Sequence, residues 1–168
     1  MNIRLAEISD LEKLKYVFRI ITDDMREKCG EIWNDYYPCE LFEDDIINKA
    51  LFIAEENGEL LSAFALYTDN PAEEFIEWRD KNAKALYIDR FGVNVAFQRK
   101  GIAAKMIDFA VEKARAKGIK YLRLFVVDRN LPAIAFYEKY GFKRMEGVFN
   151  EPIDDDIIYT EFGYEIEI

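Results

Sequence analysis

Apolar residues recur along the chain with two different spacings, and the spacings alternate. In the first long segment they lie three or four residues apart, at Leu11, Leu14, Val17, Phe18 and Ile21. This spacing predicts a helix with one buried face, beginning near Ser9 and Asp10. Short apolar runs typical of strands flank it. Together the patterns predict the element order β-α-α-β-β-β-α-β-α-β-β.

The predicted boundaries follow the same patterns. The predicted strands are residues 3–5, 51–55, 60–67, 86–95, 121–127, 142–149 and 157–166. The predicted later helices are residues 43–49, 101–117 and 132–140. The polar character of residues 68–83 predicts a loop, in which residues 75–78 could form a helical turn.

Two connections predict how the strands pair. Asn57-Gly58 between two apolar runs is a strong hairpin signal and predicts antiparallel neighbours. The strand, helix and strand over residues 86–127 predict a parallel pair with a right-handed crossover. The sequence therefore predicts a mixed α/β (α+β) fold with helices on both faces of the sheet. At 168 residues, without a linker or repeat, the chain is expected to form one domain over 1–168.

Composition excludes several classes of function. The net charge of −10 argues against binding to nucleic acid, and no apolar run is long enough to cross a membrane. The absence of histidine excludes serine–histidine and cysteine–histidine catalysis and histidine-bound metals. Cys29 and Cys39 lie in no metal-binding pattern, so free thiols, no metal and a cytoplasmic location are expected.

Residues 98–103, between a predicted strand and a predicted helix, form a candidate anion site. A glycine-containing turn leading into a helix presents backbone N–H groups at the positive end of the helix dipole. Residues 98–118 carry six basic and two acidic side chains, a local charge of +4 in an acidic chain. A plain helix start with a solvated basic face is the alternative.

A second motif follows the next strand, over residues 130–142. It has the form Asn-x-x-Ala-x-x-Phe-Tyr, followed by Gly-Phe. By itself it is also compatible with an amphipathic helix whose tyrosine is a core residue.

Taken together, the two motifs resemble those of the Gcn5-related N-acetyltransferase (GNAT) superfamily. The phosphate loop of that family, Gln/Arg-x-x-Gly-x-Gly/Ala, is matched by Gln98, Gly101 and Ala103. The second motif is matched by Asn130, Ala133, Phe136, Tyr137, Gly141 and Phe142. The detailed match covers residues 86–149. The resemblance implies a mostly antiparallel sheet of about seven strands, a splayed central parallel pair, and acetyl-CoA as co-substrate.

The resemblance also implies roles for individual residues. The coenzyme pyrophosphate would rest on the backbone of Gln98, Arg99, Lys100, Gly101, Ile102 and Ala103. The pantetheine arm would pair with Phe91, Gly92 and Val93 in a slot opened by the splayed strands, and Asn130 and Phe136 would contact the coenzyme. Tyr137 would protonate the leaving thiolate. An N–H group near Val93 would stabilise the oxyanion.

The general base is the element that the sequence lacks. Relatives that acetylate ribosomal proteins carry an acidic residue five positions before the Asn, where this chain has Phe125. This difference argues against their mechanism and their peptide substrate. Asp89 is the best remaining candidate because it would share a strand face with Phe91 and Val93. A salt bridge with Arg90 is the competing role for Asp89, and ordered water is a further candidate base.

The acceptor is expected to be a small amine or an amino-acid-like molecule. Trp33, Tyr36, Tyr37 and Glu40 are candidates for its pocket, and Asp154-Asp155-Asp156 for attracting a cation. Two alternatives remain open: a non-catalytic acyl-CoA sensor on the same fold, and an enzyme that acetylates proteins. A homodimer is also left open.

Overall fold

The computed structural model describes residues 1–153 and 157–168, and its elements follow the predicted order with three additional short strands. The helices are α1 (Leu11–Cys29), α2 (Phe42–Ile47), α3 (Ile102–Ala116) and α4 (Leu131–Tyr140). The strands are β1 (Asn2–Leu5), β2 (Leu51–Glu56), β3 (Glu59–Tyr67), β4 (Ile76–Glu77), β5 (Ala85–Val93), β6 (Tyr121–Val127), β7 (Lys143–Arg144), β8 (Glu146–Gly147), β9 (Phe149–Pro152) and β10 (Ile158–Glu167).

These elements group into two compact units. The first consists of Met1–Leu66 and Asp89–Ala110, and the second of Tyr67–Ile88 and Val111–Ile168. Strand β5 contributes its first half to the second unit and its second half to the first. The expectation of a single domain for the whole chain stays a prediction.

In the first unit, β1, β2 and β3 form an antiparallel run. The hairpin at Asn57-Gly58 joins β2 to β3, as predicted, with Leu51 opposite Ala65 and Glu56 opposite Glu59. The second half of β5 lies beside β3. Directly after β5, the Asn94 backbone N–H donates to the Leu61 carbonyl of β3 at 2.9 Å.

Helices cover both faces of β5 in this unit, and two neighbouring residues show it. Successive strand residues point to opposite faces. The Cα of Gly92 lies against Phe18 of α1. The ring of Phe91 instead contacts Phe64 at 5.7 Å, in an aromatic group that continues through Phe52 to Phe109 of α3.

In the second unit, the first half of β5 pairs in parallel with β6. The register runs from Ala85 opposite Tyr121 to Ile88 opposite Leu124, which confirms the predicted parallel pair. Strand β10 pairs antiparallel with β6, β7 and β9. The sheet is thus mixed and mostly antiparallel, as predicted.

A buried arginine organises the core of the second unit. Arg123, on β6, is almost fully buried and pairs with the buried Glu165 of β10 at 2.9 Å. Its guanidinium also donates to the Tyr87 hydroxyl at 3.1 Å and lies 4.5 Å from the Trp78 ring. Burial and a hydrogen bond to Glu73 raise the pKa of Tyr87 to about 12. The network ties the segment around β4 to β5, β6 and β10.

Two predicted segments were wrong in detail. The option of a helical turn at 75–78 fails, because a 3₁₀ turn (Pro71–Phe75) leads into β4, which pairs with β8. The predicted strand 142–149 is split into β7, β8 and the start of β9, since β7 and β9 pair with β10 and β8 pairs with β4. A change of pairing partner leaves no mark on apolar periodicity.

An ion-paired cap holds the 3₁₀ turn (Ile8–Asp10) that leads into α1. Arg4 makes a bidentate pair with Asp10, with contacts of 2.7 and 2.9 Å, and Asp10 accepts the Glu7 backbone N–H at 2.8 Å. The Arg4 hydrogen bond is the main reason that the pKa of Asp10 is lowered. A lowered folded-state pKa stabilises the fold at neutral pH, and this stabilisation is lost as the pH falls through that pKa.

We therefore expect Asp10→Asn to lower the free energy of unfolding by about 1 kcal/mol at neutral pH. The difference from wild type should shrink as the pH falls through the lowered pKa of the Asp10 carboxyl, because the wild-type carboxyl then protonates. Urea unfolding over this pH range measures both effects. Asp23→Asn is the control, since the exposed Asp23 pairs only across the surface of α1 with Arg26. An Asp10→Asn deficit that did not change with pH would contradict the interpretation.

Candidate functional site

The turn between β5 and α3 has the shape expected of an anion site. After β5 the chain makes a 3₁₀ turn (Val95–Phe97), and α3 begins at Ile102. Between them, Arg99 and Gly101 both have positive φ, at 61° and 77°. Left-handed residues directly before a helix turn successive N–H groups toward one side, as in other anion-binding nests.

The first turn of α3 supplies the donors. Its first hydrogen bond runs from the Lys105 N–H to the Gly101 carbonyl at 3.2 Å. The N–H groups of Ile102, Ala103 and Ala104 precede that bond and have no acceptor within the helix. An ideal Cβ at Gly101 would meet no atom within 4 Å, so the space above the turn is open. These features fit a phosphate group.

The side chains of the loop lie apart from that open space or at the surface. The Gln98 amide reaches the Asp24 carboxylate at 3.5 Å. The Lys100 ammonium donates to the Ala96 carbonyl at 3.1 Å and lies 4.8 Å from the Phe97 ring centre. Arg99 is exposed. The candidate anion site is therefore formed mainly by backbone N–H groups and less by these side chains.

The backbone of β5 presents alternate residues to alternate edges. The Gly92 carbonyl accepts the Ser62 hydroxyl at 2.7 Å, and the Asn94 N–H donates to Leu61, so both residues turn their backbone polar groups toward β3. Because backbone groups alternate along a strand, Phe91 and Val93 turn theirs toward the opposite edge. Of the three residues predicted to bind the pantetheine arm, Phe91 and Val93 are thus oriented to pair with an added strand.

Asp89 lies at an interruption in β5. Arg90 has a φ of 51°, so the strict alternation of a strand is broken immediately after Asp89. The carboxylate of Asp89 accepts the Arg90 backbone N–H at 2.8 Å and one guanidinium nitrogen at 3.1 Å. Its side chain remains 33% exposed. The salt bridge with Arg90, which the sequence analysis gave as the competing role of Asp89, is therefore present. The carboxylate is nevertheless partly exposed to solvent.

Arg90 also binds a residue that the sequence analysis did not identify. Asp45 of α2 pairs with its guanidinium through two contacts, of 2.7 and 2.9 Å. Both side chains are buried. Burial opposes the charge on Arg90, but Asp89 and Asp45 outweigh it and raise the arginine pKa. No sequence pattern links positions 45 residues apart, so this pair could not have been found from spacing.

The motif over residues 130–142 forms the start and body of α4. The Asn130 side chain accepts the Ala133 N–H at 3.3 Å and caps the helix. Tyr137 is 7% exposed, and its ring contacts Phe142 at 5.6 Å and Phe136 at 5.4 Å. The ring of Tyr137 is therefore packed as a core aromatic would be, and its predicted catalytic role concerns the hydroxyl alone.

The residues predicted to line an acceptor pocket divide into half-buried and exposed ones. Trp33 stacks on Phe18 at 5.8 Å and contacts Tyr37 at 6.2 Å. Tyr36 and Glu40 are exposed. The predicted cation-attracting residues Asp154-Asp155-Asp156 lie outside the described residues.

Two absences can be stated for residues 1–153 and 157–168. In these ranges, histidine, cysteine, aspartate and glutamate side chains form no group of three or more that could hold a metal ion. The helices there include none with the length and apolar character needed to span a bilayer.

Comparison with known proteins places these features in a family. Residues 14–142 match the model described as "Acetyltransferase (GNAT) family". The chain is 37% identical over 76 residues to the GCN5-related N-acetyltransferase 6, chloroplastic, of Arabidopsis thaliana, a match that covers 45% of this chain and 26% of that protein. It is 29% identical over 140 residues to the thialysine N-epsilon-acetyltransferase of Mus musculus, covering 82% and 73%.

Solved structures agree on the fold. The crystal structure of a GNAT-family acetyltransferase from Streptococcus agalactiae superposes with a TM-score of 0.85. It covers 99% of this chain and 95% of that chain at 19% sequence identity. At that identity the likeness establishes the fold, and it confirms the mixed α/β architecture predicted from the sequence.

Gly92 yields a prediction about the site's framework. An added Cβ would lie 2.7 and 2.9 Å from two ring atoms of Phe18 and 3.1 Å from Ile21. We expect Gly92→Ala to lower the free energy of unfolding by about 1–3 kcal/mol, the usual cost of overpacking. Urea unfolding measures this loss. Phe18→Leu combined with Gly92→Ala should recover part of it, which a double-mutant cycle detects. Strict additivity of the two losses would show that the contact is not the cause.

Proposed function

This chain belongs to the acetyltransferase (GNAT) family, and on that premise we propose that it transfers the acetyl group of acetyl-CoA to the amine of a small, amino-acid-like acceptor. The observation that carries the proposal is the turn from Gln98 to Ala103, where left-handed residues and the first N–H groups of α3 form an anion site in the matched region. A pyrophosphate is the anion that this coenzyme offers.

The backbone of β5 supplies the second group of contacts. Phe91 and Val93 turn their N–H and C=O groups away from β3, so an extended amide-bearing arm can add to that edge as a strand would. The Val93 N–H is also our candidate for stabilising the oxyanion of the tetrahedral intermediate. Gly92 serves mainly by lacking a side chain on the face of α1.

The coenzyme supplies an acetyl thioester, and the chain supplies the proton transfers. A cationic acceptor first loses one proton to solvent, because only the neutral amine can attack. Asp89 then accepts the second proton as the new C–N bond forms. Tyr137 donates its phenolic proton to the sulfur as the C–S bond breaks. The tyrosinate and the protonated Asp89 return to their starting states by exchange with solvent, so the products are an amide and a free thiol. Asn130 and Phe136 are assigned to coenzyme binding on the same resemblance.

The acceptor class rests on two observations. A relative covered over 73% of its length is named for an amino-acid substrate, thialysine. The chain carries a net charge of −10, which favours cationic partners. We therefore propose a small cationic amine, in preference to a protein amino group or to a non-catalytic sensor role.

The phosphate site can be tested by charge. Gly101→Glu places a carboxylate in the open space above the turn, and we expect it to abolish binding of acetyl-CoA. In the wild type, acetyl-CoA at 100 times its dissociation constant should raise the free energy of unfolding by about 2.7 kcal/mol. A thermal-shift titration measures both. Gly101→Gln is the matched control, because it imposes the same backbone strain and the same bulk without the charge.

Two results would contradict this assignment. Equal binding by folded Gly101→Glu and wild type would show that the phosphates lie elsewhere. Failure of millimolar acetyl-CoA and CoA to shift the wild-type unfolding temperature would remove the coenzyme from the proposal.

Tyr137 tests whether the chain is an enzyme or a sensor. Tyr137→Phe keeps the packed ring and removes only the hydroxyl, so acetyl-CoA affinity should persist. Turnover should fall by about 10²–10⁴-fold, the usual contribution of a general acid. Turnover and affinity are measured on the same preparation against a panel of amines. Tyr140→Phe, the same change one turn later on α4, should leave turnover near wild type. Unchanged turnover in Tyr137→Phe would exclude Tyr137 from the chemistry.

A further inference from the structure

Arg90 is shared by two carboxylates that differ in burial. Asp45 takes two of its nitrogens, Nε and Nη2, at 2.7 and 2.9 Å. Asp89 takes the remaining one, Nη1, at 3.1 Å. The Asp45 side chain is 4% exposed, whereas that of Asp89 is 33% exposed. One positive charge therefore faces two negative charges in this arrangement.

Burial decides which carboxylate receives most of the arginine's attraction. Charges interact more strongly where water is excluded, and a bidentate Arg–carboxylate pair is the strongest geometry available to a guanidinium. The Arg90–Asp45 pair meets both conditions. The Asp89 contact is single and partly solvated, so the attraction of Arg90 is directed mainly to Asp45.

From this arrangement we propose that Asp45 is a positioning residue: by occupying the guanidinium of Arg90 it preserves the exposed Asp89 carboxylate as a proton acceptor. The inference rests on the proposed function, in which Asp89 receives the proton of the attacking amine. Asp45 itself touches no reacting atom in this scheme. Without it, a larger share of the attraction of Arg90 would act on Asp89, which disfavours protonation of that carboxylate.

The ionisable groups of this cluster come from three segments. Asp89 and Arg90 belong to β5, Asp45 belongs to α2, and Tyr37 precedes α2 and interacts electrostatically with Arg90. Among these groups, Arg90 carries the positive charge that faces Asp89, and Asp45 is the second carboxylate that faces the same charge.

The test is Asp45→Asn, which keeps the size of the side chain and removes its charge. The titration midpoint of Asp89, followed by the NMR signal of its carboxyl carbon, should fall by about one pH unit. The acidic limb of the kcat/KM profile should move to lower pH by a similar amount. Asp89→Asn assigns the NMR signal, and it should remove the acidic limb from the profile.

Two variants serve as controls. Asp44→Asn removes the same charge from the neighbouring exposed position of α2 and should leave both the midpoint and the profile as in the wild type. Asp45→Glu retains the charge and should keep the Asp89 titration midpoint of the wild type, even if the longer side chain packs less well and lowers stability. It also provides a folded comparison if Asp45→Asn does not fold.

The outcomes separate this inference from the proposed function. A merely structural Asp45 would lower the unfolding temperature of Asp45→Asn and leave the Asp89 midpoint unchanged, which would overturn the inference. Turnover equal to wild type in Asp89→Asn would remove Asp89 as the proton acceptor and overturn it as well. If wild type neither binds acetyl-CoA nor releases thiol, the proposed function fails. The NMR comparison still decides whether Asp45 governs the proton affinity of Asp89.

Discussion

The conformation of Arg90 is the constraint on which the site of the first unit depends. A residue with a side chain at positive φ costs about 1–2 kcal/mol relative to an extended one, and such residues persist only where their surroundings hold them. Here the buried pair with Asp45 and the contacts with Asp89 hold Arg90 from two sides. The strand is bent at this residue, and the two carboxylates fix the bend from α2 and from β5 itself.

The last residues of β5 take their orientation from that bend. Beyond Arg90, Gly92 comes so close to Phe18 of α1 that a methyl group could not be accommodated without displacement. Ser62 and the backbone of Leu61 hold the polar groups of Gly92 and Asn94 against β3. The polar groups of Phe91 and Val93 are directed to the other edge as a result. The proposed contacts for an extended ligand arm thus arise from strand geometry and require no particular side chain.

The sequence predicted most of the elements because their signals are local. Strand β6 was predicted with its observed ends, and α3 and α4 within one residue at each end, because apolar spacing and helix-ending glycines mark them. The segments between Thr68 and Ala83 and between Phe142 and Pro152 were predicted poorly. Their short strands β4 and β8 exist because they pair with each other across the chain, and two residues carry no periodic signal.

In the candidate site, too, the parts with local sequence signals were predicted and the parts formed by tertiary packing were not. Its backbone parts were predictable, because a glycine turn followed by a helix start is visible in consecutive residues. The partners of Asp89 were only half visible: Arg90 is its neighbour in sequence, whereas Asp45 reaches the cluster through tertiary packing. The prediction that Asp89 shares a strand face with Phe91 and Val93 assumed strict alternation. The positive φ of Arg90 breaks that alternation, and an arginine in an apolar run gives no sequence signal for it.

The charge of the chain raises the question of how an acidic protein would hold an anionic coenzyme. Exposed charges more than about 10 Å apart are largely screened at 0.1 M salt. The net charge of −10 therefore acts mainly on the approach of the ligand, while the bound state is decided by groups within that distance. Arg99 and Lys100 belong to the turn at Gly101 and Lys105 to the first turn of α3, and the helix dipole adds to their effect. Acidic groups placed elsewhere remain available to attract a cationic acceptor. The uneven distribution of charge along the chain would thus let the protein bind two substrates of opposite sign.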